Sequence, residues 1–183
     1  MTSAILVFGV PGVGKTTACK SYVRRHPSFA YISASEVLRE ESDSSIEALR
    51  KSGVQDILRN QGILAHALAS RMRYSQKNYF LIDSQNVIDN DVELIDVPID
   101  VVRSLSPSGI ILLESSAADI YLRRSNDIRS RPVRKIDQID LHIQRTRRVT
   151  VDYATNLGVP MLIGLVTNGF EIDELVDKLL AGD

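Results

Sequence analysis

The sequence predicts an α/β fold in which a parallel sheet lies between two helical layers. Three observations carry this. Short apolar runs alternate with longer amphipathic stretches about five times along the chain, the β-α rhythm of a parallel sheet with right-handed crossovers. The runs are continuously apolar rather than alternating, as strands buried on both faces require. A glycine-rich turn joins the first run to the first helical stretch.

The elements follow in order. Ala4 to Phe8 forms the first strand, and Gly14 to Arg25 the helix after it, ending before Pro27. Phe29 to Ile32 is a second strand. Ser35 is placed to cap a helix opening with Glu36. A turn-like run, Ser42-Asp43-Ser44-Ser45, follows. Val54, Ile57, Leu58, Ile63, Leu64, Leu68 and Met72 keep an approximate helical period. Tyr79 to Ile82 is a strand ending at Asp83, and Ile110 to Leu113 another ending at Glu114. Ala117 to Arg124 is helical. Ile136 to Leu157 is a long helix closed by Gly158 before Pro160. Met161 to Ile163 is the last strand and Phe170 to Leu180 the last helix. Two stretches interrupt the repeat: a helical insertion at about 33–75, and an arginine-rich segment at about 125–137. Such insertions at the ends of parallel strands are where these folds keep their lids.

Gly9-Val10-Pro11-Gly12-Val13-Gly14-Lys15-Thr16 matches G-x-x-x-x-G-K-[ST]. Glycines let the backbone N–H groups turn inward around a phosphate chain. In this pattern Lys15 reaches the β- and γ-phosphates of a nucleotide and the Thr16 hydroxyl binds Mg²⁺. The helix behind the loop adds the positive end of its dipole. The fold class is therefore a three-layer P-loop NTPase fold with a five-stranded parallel sheet, in one domain over residues 1–183. Asp83, at the carboxyl end of a strand beside the loop, is the candidate to hold the metal or its waters.

Arginine outnumbers lysine 16 to 6, and eight arginines with Lys135 fall between residues 123 and 148, a window of net charge +6. The whole chain carries only −1. Arginine forks bind phosphate bidentately, so this island marks a bound polyanion or a solvated helix face. With a P-loop present, Arg129 and Arg131 fall where a closing lid would sit. Arg145 and Arg148, three apart, are expected on a shared face of the following helix. Arg124, Arg134 and Arg147 are expected at the surface. Cys19, His26, His66 and His142 show no catalytic or metal-ligand spacing, and Glu114 reads as an ordinary polar strand end.

Composition excludes other classes. One cysteine among 183 residues forms no internal disulfide, which suits a reducing, cytoplasmic setting. No apolar run approaches the ~20 residues that span a bilayer. Met1-Thr2-Ser3 lacks the basic start of a secretory signal. The near-zero charge argues against nucleic acid as a partner. An Asn-Lys-x-Asp base-reading motif and a Leu-Ser-Gly-Gly-Gln signature are both absent from the sequence.

The chain resembles the adenylate kinases, closest to their archaeal type. Gly9 to Thr17 is similar to that family's loop almost letter for letter. Leu49-Arg50-Lys51 and Arg59 resemble its monophosphate-binding helices. Phe80-Leu81-Ile82-Asp83 resembles its strand ending in Asp-Thr-His, and Val97-Pro98-Ile99 with Leu105-Ser106-Pro107 its Leu-Pro-x and Asn-Pro stretches. Leu113-Glu114-Ser115-Ser116 and Arg129-Ser130-Arg131 resemble its strand end and its Arg-Asn-Arg lid. The resemblance implies Mg-ATP as donor and a nucleoside monophosphate as acceptor. It assigns Gly12, Val13, Gly14, Lys15, Thr16 and Thr17 to the donor phosphates. Arg50, Arg59 and Asp83 fall to the acceptor side, Thr16 and Asp83 to Mg²⁺. Lys15, Arg129, Arg131 and Arg148 fall to the transferring group. It leaves an oligomer open.

The sequence also departs from the family. Ser84-Gln85 stands where the family has a histidine. No Gly-Tyr-Leu-Pro-Gly stretch is present. In its place Ile88 to Asp100 carries five acids, Asp89, Asp91, Glu93, Asp96 and Asp100. Either they face solvent, or they line the pocket and the acceptor is neutral or cationic. Three functions remain open: transfer to a monophosphate, with AMP the first to try; transfer to a small hydroxyl compound, with Asp83 as base; or a regulatory ATPase that docks a partner on the acidic segment.

Overall fold

The computed structural model describes residues 3–42, 45–126 and 134–182. The chain runs β1 (Ser3–Phe8), α1 (Lys15–Arg25), β2 (Phe29–Ser33), α2 (Ala34–Ser42), α3 (Ile46–Arg50), α4 (Val54–Tyr74) and β3 (Tyr79–Asp83). It continues β4 (Val87–Asp89), β5 (Leu94–Asp96), α5 (Ile99–Ser104), β6 (Gly109–Glu114), α6 (Ala117–Ser125), α7 (Ile136–Leu157), β7 (Met161–Leu165) and α8 (Asp173–Ala181).

Five strands form one parallel sheet in the order β2-β3-β1-β6-β7. The apolar runs of the sequence are these strands. In β1, Ala4, Leu6 and Phe8 pack on one face with α2, α4, α5 and α7, while Ile5 and Val7 pack on the other with α1 and α8. Each strand thus feeds two cores, which makes three layers and explains why its polar positions lie only at the ends. With β1 central, Val7 pairs with Asp83 of β3 and with Ile111 of β6. The carboxyl ends of the three middle strands therefore open at one level, where ligands bind in sheets of this kind.

Local signals place the helix ends. Ser45 accepts from the Ala48 N–H at 3.1 Å and starts α3. The Ser116 side chain accepts from the Asp119 N–H at 3.0 Å and starts α6. Gly158, at φ 65°, closes α7.

Two expectations are corrected. The residue bonding into the first turn of α2 is Ser33, whose Oγ accepts from the Glu36 N–H at 3.4 Å. Ser35 lies one turn position too late and instead shares a 3.1 Å hydroxyl–hydroxyl bond with Ser33. The last helix begins at Asp173, not Phe170, because Phe170 and Ile172 pack into the core below the sheet ahead of the helix. In the acidic stretch Asp91, Glu93 and Asp100 are exposed to solvent, and Ile88, but none of the five acids, lines the cavity described below. The stretch contains an antiparallel hairpin, β4 with β5, that pairs Ile88 with Ile95 and Asp89 with Leu94.

Candidate active site

The phosphate loop starts where β1 ends. A Cβ at Gly9 would stand 2.5 Å from the Leu113 carbonyl oxygen, so β6 admits only glycine there. Gly12, at φ 88°, takes a backbone that other residues rarely adopt. Lys15 opens α1 and folds back over the loop. Its Nζ donates to the Gly9 carbonyl at 2.6 Å and to the Val10 carbonyl at 3.4 Å, and stands 3.9 Å from Asp83. The Thr16 hydroxyl donates to Asp83 Oδ2 at 2.6 Å, and Tyr31 OH donates to the same oxygen at 3.3 Å. Burial and the Asp83 carboxylate push the Tyr31 phenol well up, so it stays a neutral donor. Sheet register produces this cluster: Val7 pairs with Asp83, so the carboxylate emerges beside the turn that follows β1.

Helix α6 lies along the loop with two arginines. Arg123 donates to the Val13 carbonyl at 2.9 Å and the Val166 carbonyl at 3.2 Å. Arg124 donates from Nε to the Pro11 carbonyl at 2.8 Å. Arg124, expected at the surface, is half-buried against the loop. The clue to this was its position two turns into a helix that leaves the strand neighbouring β1.

The rest of the arginine island divides. Arg129 and Arg131 lie outside the described residues. Arg134, also expected at the surface, is half-buried: Nε and Nη2 grip Asp89 at 2.8 and 2.7 Å. Arg145 grips Asp96 with two bonds of 2.7 Å. Arg147 is exposed, as expected, and pairs with the buried Glu114 at the end of β6. Arg148 is exposed on α7, three residues on from the half-buried Arg145. Two arginines of the island, Arg134 and Arg145, are therefore partners of the acidic segment, which long-range ion pairing hides from a linear reading.

A cavity of about 120 Å³ opens beside Asp83 between the insertion helices and the end of β3. Its polar lining includes Ser35, Arg50, Asn60, Gln61, Asp83 and Gln85, and Leu38, Ile57 and Leu64 are among its apolar wall. Asn60 and Gln61 are buried polar residues that the apolar period of α4 did not flag. Arg50 is in the lining as expected, but its fork is engaged: it donates to Asp91 at 2.8 and 2.9 Å and to the Asp89 carbonyl at 3.0 Å. Arg59 is corrected. It is exposed on α4, pairs with Asp56 at 2.8 Å and is not among the lining residues. The helix turns its neighbours Asn60 and Gln61 inward instead.

The hairpin is pinned to α7 from below. Asn86 Nδ2 donates to the Thr146 carbonyl at 3.1 Å and to Thr150 Oγ1 at 2.8 Å. His142 Nε2 bonds the Val87 carbonyl at 3.2 Å, and Tyr153 OH donates to the Val97 carbonyl. Burial pushes the His142 pKa down to about 4, so the ring is neutral and Nε2–H is the donor.

All donors facing the loop mouth from Thr16 and Asp83 are oxygens, the hard ligands Mg²⁺ takes. Among the described residues no group of three His, Cys, Asp or Glu side chains could hold a metal unaided. No helix of the described residues is long and apolar enough to cross a membrane.

Comparison with known proteins agrees with this geometry. A family model described as an AAA domain matches residues 8–140. The adenylate kinase of Thermococcus sibiricus is 26% identical, over 98% of this chain and 94% of its own. That of Pyrococcus horikoshii is 27% identical over the same shares, and that of Methanothermobacter thermautotrophicus 28% over 87% and 88%. In fold, the chain is similar to a shikimate kinase from Acinetobacter baumannii solved in complex with shikimate. That match has a TM-score of 0.64 at 14% identity, covering 98% of this chain and 92% of that one. A shikimate kinase from Bacteroides thetaiotaomicron matches at TM-score 0.59, also at 14% identity, covering 98% and 97%.

Proposed function

The chain belongs to the AAA domain family, and from that premise we propose that it transfers the γ-phosphoryl group of Mg-ATP to a nucleoside monophosphate, with AMP the first acceptor to test. The protein is an ATP-dependent P-loop kinase; the acceptor is the proposed part. The observation that carries the reading is the cavity beside Asp83, which has an arginine in its lining and adjoins the Lys15–Thr16 end of the phosphate loop.

Each residue has a part. The loop from Gly12 to Thr17 wraps the donor phosphates with backbone N–H groups. Lys15, held at rest on its own loop carbonyls, exchanges them for phosphate oxygens. Thr16 and Asp83 are the residues that would hold Mg²⁺, which neutralises charge on the phosphates when bound. Arg123 and Arg124 stiffen the loop by tying its carbonyls to α6. Arg50 orients the acceptor. Arg129, Arg131 and Arg148 are proposed to meet the transferring group. A phosphate acceptor needs no base, because its oxygen is already ionised, so positioning and charge carry the rate.

A second reading, a small hydroxyl acceptor deprotonated by Asp83, is favoured by one observation: the polar lining around Arg50 is otherwise neutral or acidic, and Arg50 is already bonded to Asp91. A coupled ADP-release assay separates the two. Mg-ATP is supplied alone, then with AMP, CMP, UMP, GMP or dTMP. Fast turnover with one monophosphate, recovered as its diphosphate, is expected. Slow turnover that none of the five accelerates would reject the monophosphate reading and turn attention to hydroxyl acceptors and to slow regulatory hydrolysis.

A further inference from the structure

Asp91 stands at the tip of the β4–β5 hairpin in left-handed backbone, at φ 79°. Ser106 is the only other non-glycine residue with positive φ among the described residues. Aspartate takes this conformation when local hydrogen bonds hold the turn. Here the Asp91 N–H donates to Asp89 Oδ1 at 3.0 Å, and Asn90 Oδ1 accepts from the N–H groups of Val92 at 3.0 Å and Glu93 at 2.8 Å.

The turn so held aims one carboxylate at two arginines from distant parts of the chain. Arg50, the last residue of α3, donates from Nη1 to Asp91 Oδ1 at 2.8 Å and from Nη2 to Oδ2 at 2.9 Å. Arg134, just ahead of α7, donates to Oδ1 at 2.5 Å. Two guanidinium groups meeting on the oxygens of one anion form the donor set that proteins use for phosphate. The pairs hold the Asp91 carboxyl well below the usual carboxylate range, Arg50 foremost. Arg50 is also the one cationic side chain in the lining of the cavity beside Asp83, among the described residues.

Resting on the monophosphate-kinase reading, we propose that Asp91 is a specificity-determining residue: its carboxylate occupies the acceptor-phosphate position on Arg50 and Arg134, and an anionic acceptor binds by exchanging with it. The exchange is accessible because the Asp91 side chain is 34% exposed, so an incoming anion can reach the arginine forks from solvent. A phosphate dianion, with more charge and a third oxygen, displaces the carboxylate. A neutral nucleoside does not, and meets a cavity whose cation stays neutralised. Asp91 thus weakens binding of every anionic acceptor, and weakens it most for those with a single charge.

Asp91→Asn tests this, since asparagine tolerates the left-handed backbone and keeps the hairpin shape. Asp91→Gly is the second variant, with no backbone strain at all. Both should keep the wild-type melting temperature to within a few degrees. In each, KM for the monophosphate that the wild-type protein uses should fall roughly fivefold, while KM for ATP stays unchanged. A purely structural Asp91 would not produce that split. An acceptor KM unchanged or raised in both folded variants overturns the proposal. If the wild-type protein turns over no monophosphate, the functional reading fails on its own. Titration with inorganic phosphate then decides this one. Tighter phosphate binding by Asp91→Asn than by wild type, lost again when Arg50→Ala is added, supports the exchange. Equal binding rejects it.

Discussion

At the residue scale, the site is a set of side chains whose behaviour follows from what surrounds them. Lys15 and Thr16 could be named from the motif alone, because the loop is contiguous and its chemistry depends on backbone turned inward within eight residues. Asp83 was legible because an acid ended an apolar strand. Arg124 was not, since nothing in a string of residues tells which face of α6 meets the loop. Arg59 misled for the same reason: it lies on the exposed side of α4, next to the buried Asn60 and Gln61. His142 yields a prediction at this scale. Burial lowers its pKa to about 4 in the folded protein, against an ordinary value near 6.5 when unfolded. Between those values the unfolded chain binds a proton that the folded chain does not. Stability is therefore unaffected above about pH 7 and falls as pH drops, by about 2 kcal/mol at pH 5 from this group. Urea melts of the wild-type protein and His142→Gln at pH 7.5 and 5 check it. The variant should lose less stability on acidification, and equal losses would show that His142 is not the group responsible.

At the element scale, the five sheet strands were legible because each is a continuous apolar run bounded by polar residues, and burial on both faces leaves no other pattern. The β4–β5 hairpin was not. Its strands are three residues each, Val-Ile-Asp and Leu-Ile-Asp, too short to show a period. Their acids suggested solvent or a pocket, whereas Arg134 and Arg145 neutralise them across the fold. What holds the hairpin in place is a buried polar seam on α7. Asn86, almost fully buried, supplies two of its bonds. Asn86→Ala should cost about 1–3 kcal/mol, the penalty for leaving buried groups unmatched, read as a lower urea midpoint with unchanged slope. A midpoint equal to wild type would mean that the seam does not hold the hairpin.

At the scale of the whole molecule, one sheet places three things at one level: the phosphate loop after β1, the Asp83 carboxylate after β3, and a cavity under the insertion helices with Arg50 in its lining. In the proposed reaction donor and acceptor would meet over these central strands, and the acidic hairpin holds Arg50 from the other side. The domain plan was legible because the β-α rhythm is a repeated signal. The balance of charge between hairpin and arginine island was not, since Asp89 and Arg134 lie 45 residues apart. The most direct measurement is label transfer: the protein is given Mg-ATP carrying ³²P in the γ-phosphate together with AMP, and the products are separated. The label should move into ADP formed from AMP. Label released only as inorganic phosphate, at a rate that AMP does not change, would contradict phosphoryl transfer to this acceptor.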